Sequence, residues 1–218
     1  MAFSLSPSTL SLYHECPRCF WLHFNGVKRP VTIFPSLPSG MDRILKAHFA
    51  RYMKKKELPP ELRMLGSHVS LFDDEHLLSE WTNNRKGLHY EDEHGNMLRG
   101  AVDAILVKGK KLVVLDFKTR GFPLKDDTAQ HYQNQLDIYN FLLRKTGFGT
   151  EDYSYLLFYH PHEVTKNGKI DFVTDLVKMG IYPKNAQNLF SEALTVLEGK
   201  KPKADPGCGF CKWGKEWR

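Results

Sequence analysis

Apolar and polar positions change their spacing along the chain, from a helical pattern at first to strand-like alternation from about residue 87 onwards. Ser6 comes directly before a proline, which is typical of a helix start because serine caps the helix and proline suits its first position. The sequence predicts one helix from there to about Phe24 and a second over residues 39–56. Residues 57–85 have a weaker pattern, and helical pieces are expected there.

Short apolar runs separated by turn residues characterise the rest of the chain. Strands are predicted over residues 88–91, 98–107, 112–119, 153–159 and 170–176, and helices over 128–144 and 183–197. This order predicts an α/β fold in which a three-strand meander and a strand pair form a mixed central sheet flanked by helices. We expect one domain over residues 1–218, with a helical part (1–86), the sheet and its long helix (87–180) and a C-terminal helix with a cysteine tail (181–218).

The composition is that of a globular protein, with 218 residues, 41% hydrophobic and 26% charged. No apolar run is long enough for a membrane span and the N-terminus lacks the features of a signal peptide, so a soluble, cytoplasmic protein is expected. The net charge of +6 and the pI near 9.0 favour an anionic partner, nucleic acid first. A lysine run at 54–56 and a basic C-terminus carry much of this charge, although a solvated basic surface would have the same composition.

Two aspartates lie in the most apolar part of the chain, one in each of two successive predicted strands. If Gly109 and Lys110 form the centre of the intervening turn, the numbers of facing residues sum to 219, and Asp103 lies directly opposite Asp116. Residues in that relation have Cβ atoms about 4.5–5.5 Å apart. Two carboxylates so close repel each other, so folding alone would not favour the pair, whereas a divalent cation between them removes the conflict.

Oxygen ligands of this kind suit Mg²⁺ or Mn²⁺. Lys118 projects from the same strand face as Asp116, where its ammonium group can orient a water molecule or stabilise charge on a phosphate. Phe117 points to the other face, but its backbone carbonyl is available to a metal. The alternative interpretation is a pair of surface acids with Lys118 as their salt-bridge partner.

Three segments resemble the PD-(D/E)XK nucleases of the RecB type, a group that includes the CRISPR-associated Cas-four exonucleases. They are Asp103, the run Asp116-Phe117-Lys118 and the run Gln135-Leu136-Asp137-Ile138-Tyr139. The resemblance implies that the two acids bind the metal, that the lysine assists the water, and that Gln135 and Tyr139 line the site. Gln135 and Tyr139 share a helix face, and taken without the upstream motif they indicate simple helix packing.

The chain departs from the family's pattern at the position of a further metal ligand. Family members often have a histidine four residues after a glycine on the second helix, whereas Gly40 is followed at that spacing by Ile44. His48, one helical turn further on, is the candidate substitute, although it also fits a surface position. The identity of the third ligand is therefore open.

The four cysteines form two pairs with metal-ligand spacing, Cys16 with Cys19 and Cys208 with Cys211. Two such pairs complete a tetrahedral thiolate site, which we expect to join the first helix to the C-terminal tail. Four thiolates suit either zinc or an iron–sulfur cluster. The family resemblance implies a [4Fe–4S] cluster, but the family usually has one N-terminal and three C-terminal cysteines, so zinc stays an alternative.

Two tryptophans, Trp213 and Trp217, lie among basic residues near the second cysteine pair. They can stack on nucleic-acid bases or shield the metal site from water. The sequence does not distinguish these two roles.

These features predict a Mg²⁺- or Mn²⁺-dependent deoxyribonuclease that hydrolyses phosphodiester bonds. By resemblance, we expect an exonuclease on single-stranded DNA or free ends, in DNA repair, recombination or CRISPR spacer acquisition. One alternative is a catalytically inactive nucleic-acid-binding subunit of a larger DNA-processing complex. Another is a nuclease that is active only with other DNA-processing or integration proteins.

Overall fold

The strands of the described residues form two sheets, and helices cover both faces of the larger one. The structure, a computed structural model, describes residues 2–30 and 36–216. Its α-helices are α1 (Pro7–Glu15), α2 (Pro17–Phe24), α3 (Ser36–Lys55), α4 (Glu75–Trp81), α5 (Gln133–Lys145), α6 (Pro183–Glu198) and α7 (Gly209–Glu216), and 3₁₀ helices span Pro60–Leu65 and Thr128–Tyr132. Its strands are β1 (Ser4–Leu5), β2 (Val69–Leu71), β3 (Leu88–Glu91), β4 (Met97–Gly100), β5 (Ala104–Lys108), β6 (Lys111–Thr119), β7 (Tyr153–Val164) and β8 (Ile170–Gly180).

The larger sheet has five strands in the order β2-β5-β6-β7-β8. Strands β6 and β7 are parallel, and the other neighbours in this sheet are antiparallel. Parallel neighbours need a crossover connection, and helix α5 lies in the segment between β6 and β7. The predicted α/β fold with a mixed sheet is therefore confirmed. A smaller sheet has the order β1-β4-β3.

Side chains of β6 alternate between two apolar layers, because successive residues of a strand point to opposite faces of a sheet. Val114 belongs to a buried cluster that includes the inner faces of α5 and α6. Leu115 and Phe117 belong to a second cluster on the other side, which includes Phe49 of α3. Asp116 is two residues beyond Val114 and points to the same face of β6, so it projects into the layer that α5 covers.

The first predicted helix is in fact two helices, because the helical course ends at Cys16. This residue is extended, with φ −164° and ψ 103°; it terminates α1 and caps α2, which begins at Pro17. A proline inside a helix lacks the N–H that the preceding turn needs, and its ring clashes with that turn. The prediction of one continuous helix to Phe24 was therefore wrong.

The predicted strand over 98–107 is also divided. Strand β4 pairs with β3 in the smaller sheet, whereas β5 pairs with β2 and β6 in the larger one. Residues 101–103 carry the chain from one sheet to the other, so the predicted three-strand meander was wrong. The apolar pattern continues through this bend, and for that reason it did not reveal the change of sheet.

Other differences concern the length and number of elements. The segment 57–85 contains the edge strand β2 as well as the expected helical pieces, and the hairpin of β7 and β8 extends beyond the predicted limits. Helix α7 follows Cys208 and was not predicted. Within the described part of the chain, no helix is long and apolar enough to cross a membrane.

Candidate active site

The register of β5 and β6 is the one that the sequence predicted. Ala104 pairs with Leu115 and Lys108 pairs with Lys111. Asp103 directly precedes β5, and continuing this register places it opposite Asp116. The two carboxylates therefore meet at the start of β5, where the chain enters the larger sheet.

The carboxylate of Asp116 is almost completely buried, with 1% exposure, on the strand face that also carries the core residue Val114. Burial raises the pKa of Asp116 to about 7; the neighbouring Asp103 carboxylate adds to this effect and the Lys118 ammonium group opposes it. Burial also raises the pKa of Asp103, although the Phe117 N–H and the ammonium group of Lys46 favour its charged form. The pair therefore keeps its protons to higher pH than ordinary carboxyl groups, because its surroundings compensate negative charge there only in part.

On the side of β5, strand β6 has no partner beside Phe117, because β5 begins only at Ala104, opposite Leu115; on its other side, Phe117 pairs with Leu157 of β7. The N–H of Phe117 points into this open edge and donates to Asp103 Oδ2 at 2.9 Å. The N–H and C=O of one residue in an extended strand point to the same side. The Phe117 carbonyl is therefore directed to the edge that Asp103 occupies, while its ring packs against Phe49 with ring centroids 4.5 Å apart.

A chain of polar contacts links Lys118 to helix α5. Lys118 Nζ lies 2.5 Å from Asp116 Oδ2 and donates to Gln135 Oε1 at 2.9 Å. Gln135 Nε2 in turn donates to the hydroxyl oxygen of Tyr139 at 2.7 Å. The ring of Tyr132 lies under the ammonium group, with its centroid 4.6 Å away. These contacts fix the position of Lys118 beside the acids, so Gln135 and Tyr139 do more than pack α5 against the sheet.

Helix α3 brings two further charged groups to the carboxylates, and sequence reasoning missed both. Lys46 Nζ lies 3.6 Å from Asp103 Oδ1 and 3.0 Å from Asp42 Oδ1. Asp42 also borders a small cleft beside Phe117 and Lys118. The signal that could have revealed them is their spacing: residues four apart on a helix share a face, and Phe49 follows Lys46 by three on the face that packs against β6.

His48 has different partners from those expected of a metal ligand. Its Nε2 lies 3.1 Å from Glu61 Oε1, and Glu61 also accepts a hydrogen bond from the Tyr159 hydroxyl at 3.1 Å. In the described ranges, the four cysteines form the one group of at least three converging His, Cys, Asp or Glu ligand atoms, so neither His48 nor Asp42 is part of such a group. The structure does not bring His48 together with Asp103 and Asp116, so the hypothesis that it replaces the missing histidine has no geometric support.

The four cysteines, which are distant in sequence, form one buried cluster. Cys16 and Cys19 belong to the start of α2, and Cys208 and Cys211 to the start of α7, so the expected junction between the two ends of the chain is confirmed. Trp213 is about half-exposed and borders a cleft next to this cluster. Trp217 lies outside the described residues.

We predict that Asp116→Asn stabilises the metal-free protein above pH 7. The unfolded state loses the Asp116 proton near pH 4, whereas the folded state keeps it to about pH 7. Since the folded state binds more protons in that window, wild-type stability falls as pH rises through it. The expected increase in the free energy of unfolding for Asp116→Asn at pH 8 is on the order of 2–4 kcal/mol, and it disappears towards pH 4. Urea unfolding of both proteins in EDTA, at pH 8 and at pH 4, measures this difference.

A control is Asp171→Asn, at an exposed position of β8, which should follow the wild-type pH profile. An Asp116→Asn protein less stable than wild type at pH 8 would contradict the electrostatic account.

Comparison with known proteins identifies the family. The model of the PD-(D/E)XK nuclease superfamily matches residues 34–215, which include both aspartates, Lys118 and the contacting part of α5. No curated protein matches the chain in sequence. The crystal structure of SSO0001 aligns with a TM-score of 0.49 and 14% identity, over 99% of this chain and 86% of that one. The chain belongs to the PD-(D/E)XK nuclease superfamily, as the match over most of its length shows.

Proposed function

We propose that the protein is a metal-dependent DNA nuclease whose site consists of Asp103, Asp116, the Phe117 carbonyl and Lys118. The observation that carries this proposal is the close, largely buried pair of carboxylates at the open edge of β6. Membership of the superfamily indicates a nuclease, and its members usually use divalent metals. The donor set fits Mg²⁺ or Mn²⁺, since it offers carboxylate and carbonyl oxygens only.

When bound there, such an ion would supply a Lewis acid for the phosphate and lower the pKa of a water molecule. The contribution of the chain is to position the reacting groups. Lys118, held by Gln135 on one side and Asp116 on the other, would orient the attacking water and stabilise charge on the phosphate oxygens. Tyr139 is a positioning residue, because it touches Gln135 rather than the reacting atoms.

The test is a nuclease assay on end-labelled single- and double-stranded DNA with Mg²⁺, Mn²⁺ or EDTA. We expect cleavage that requires a divalent ion and falls by at least about 100-fold in Asp116→Ala, because loss of a ligand removes the charge stabilisation that such sites provide. Asp171→Ala is the matched control and should keep wild-type activity. An active, folded Asp116→Ala protein would contradict the assignment. Wild-type protein that binds DNA but cleaves it with neither Mg²⁺ nor Mn²⁺ would favour a binding subunit.

We further propose that Asp42, rather than a histidine, is the metal ligand from α3. It shares Lys46 with Asp103, and a cation between the acids would take over the charge compensation that Lys46 provides. The Asp42 side chain also borders the cleft at Lys118.

Asp42→Asn should weaken Mn²⁺ binding by roughly 10-fold or more, whereas His48→Asn should leave it unchanged, because one fewer charge reduces affinity for a hard cation. Isothermal titration with Mn²⁺ measures both variants. Equal affinity of Asp42→Asn and wild type, or a loss confined to His48→Asn, would refute this choice of ligand.

A single nucleic-acid strand is the proposed substrate, and an open cleft beside Gln135 and Tyr139 supports this choice. Its walls include Lys86 and Arg99, which are exposed, and the start of α1 at Ser6. Cationic side chains and the N–H groups of a helix N-terminus suit a phosphate backbone. We propose that the strand enters along this cleft and presents a free end to the aspartates, as an exonuclease would require.

Removing both charges, Lys86→Ala with Arg99→Ala, should weaken binding of single-stranded DNA and reduce the slope of its salt dependence by about 1–2. The turnover rate at saturating DNA should change little, since neither residue contacts the acids. Fluorescence anisotropy over a salt series provides the measurement, with Lys166→Ala on the β7–β8 turn as control. An unchanged slope in the double variant would place the strand elsewhere.

A further inference from the structure

The four cysteine sulfurs converge on a space that is smaller than an iron–sulfur cluster needs. All four lie within 4.8 Å of one another. Across the two halves of the site, Cys16 Sγ lies 3.6 Å from Cys211 Sγ, and Cys19 Sγ lies 3.7 Å from Cys208 Sγ. A disulfide has a sulfur–sulfur distance of about 2.05 Å, so these are separate thiols around a common centre.

These distances are those of ligands around one ion. A tetrahedron with metal–sulfur bonds of about 2.3 Å has sulfur–sulfur edges of about 3.8 Å. In a [4Fe–4S] cluster each cysteine binds a different iron, and its Fe–S bond points outwards from a cube of four irons and four sulfides. The cysteine sulfurs must then stand well beyond the spacing seen here. The residues present therefore fit a single tetrahedral ion and do not fit the cluster.

Donors from the backbone and from Arg29 surround the sulfurs. Each Cys-x-x-Cys pair lies at the start of a helix, and the N–H of Cys19 donates to Cys16 Sγ at 3.4 Å. Arg29 Nη2 donates to Cys208 Sγ at 3.7 Å, and its guanidinium group lies over the Phe210 ring at 4.4 Å from the centroid. Four thiolates around a divalent ion leave a net charge of −2, which these N–H groups and Arg29 partly offset.

We infer that the cysteines bind one Zn²⁺ ion, in place of the [4Fe–4S] cluster that the family resemblance implied. The ion joins the start of α2 to the start of α7, across 195 residues of sequence between Cys16 and Cys211. Two hydrogen bonds also join α2 to the segment before α7: Arg18 donates to the Pro202 carbonyl, and Trp21 donates to the Gly199 carbonyl. The site is structural, and this inference does not rest on the proposed nuclease activity.

The experiment is a metal and sulfide analysis of the untagged chain, purified without oxygen from cells supplied with both iron and zinc. We expect one zinc per chain, no acid-labile sulfide and no visible absorption. Replacement by Co²⁺ should give the absorption bands of a tetrahedral thiolate complex. Four irons with four sulfides per chain would overturn the inference, and one iron without sulfide would overturn the choice of zinc.

Variants test the ligands and their surroundings. Cys208→Ser should lose zinc, but that protein can fail to fold. A thiol reagent titrated into the wild-type protein tests the same ligands, and we expect one zinc ion released for four thiols that react. Arg29→Gln should keep the cobalt spectrum but lose zinc to a chelator about 10–100-fold more readily, as for other residues that support metal ligands. Arg85→Gln, at an exposed position distant in sequence from the cysteines, is the matched control. Four thiols that react without zinc release would contradict the site.

Discussion

Two carboxylates held together at the start of β5 are the constraint around which the candidate site is organised. Asp116 occupies a position on β6 where the alternation of the strand requires a core side chain, and Asp103 lies opposite it in the same register. An arrangement of this kind opposes folding, because burial raises the pKa of Asp116 and the neighbouring Asp103 carboxylate raises it further. The proposed divalent cation would remove this conflict, because it would compensate the charge of both carboxylates.

The rest of the fold supplies what this pair needs. Strand β5 begins at Ala104, so β6 has an open edge at Phe117, where a backbone carbonyl and the Asp103 carboxylate face the same space. Helix α5, the crossover between the parallel strands, brings Gln135 to Lys118. Helix α3 packs on the opposite layer and reaches Asp103 through Lys46. One sheet edge thus collects groups from both layers because the two helices cover opposite faces of the same strand.

The cysteine cluster serves a different part of the molecule. It holds α2 to α7. Helix α1 directly precedes α2 and follows β1, which is a strand of the smaller sheet. The start of α1 forms part of the cleft beside Tyr139. A stable junction of α2 and α7 would therefore support one wall of the proposed DNA path, which is the structural role that we infer for the zinc ion.

The sequence by itself determined the relations that depend on local periodicity. The turn between β5 and β6 set the pairing of Asp103 with Asp116, the alternation of β6 placed Lys118 beside them, and helical spacing put Gln135 and Tyr139 on one face. Each Cys-x-x-Cys motif placed two thiols at the spacing of metal ligands. Each of these relations spans a single turn, strand or helix, so its geometry follows from the backbone repeat.

Only the tertiary structure decided relations between segments that are remote from each other. It moved β4 into a second sheet although the apolar pattern runs on into β5. It turned Asp42 and Lys46 towards the acids and His48 towards Glu61, because the packing of α3 on β6 fixes which of its faces meets the site. It also set the distances between the two cysteine pairs, which favour one ion over a cluster. No local repeat encodes these separations, since they depend on how whole elements pack together.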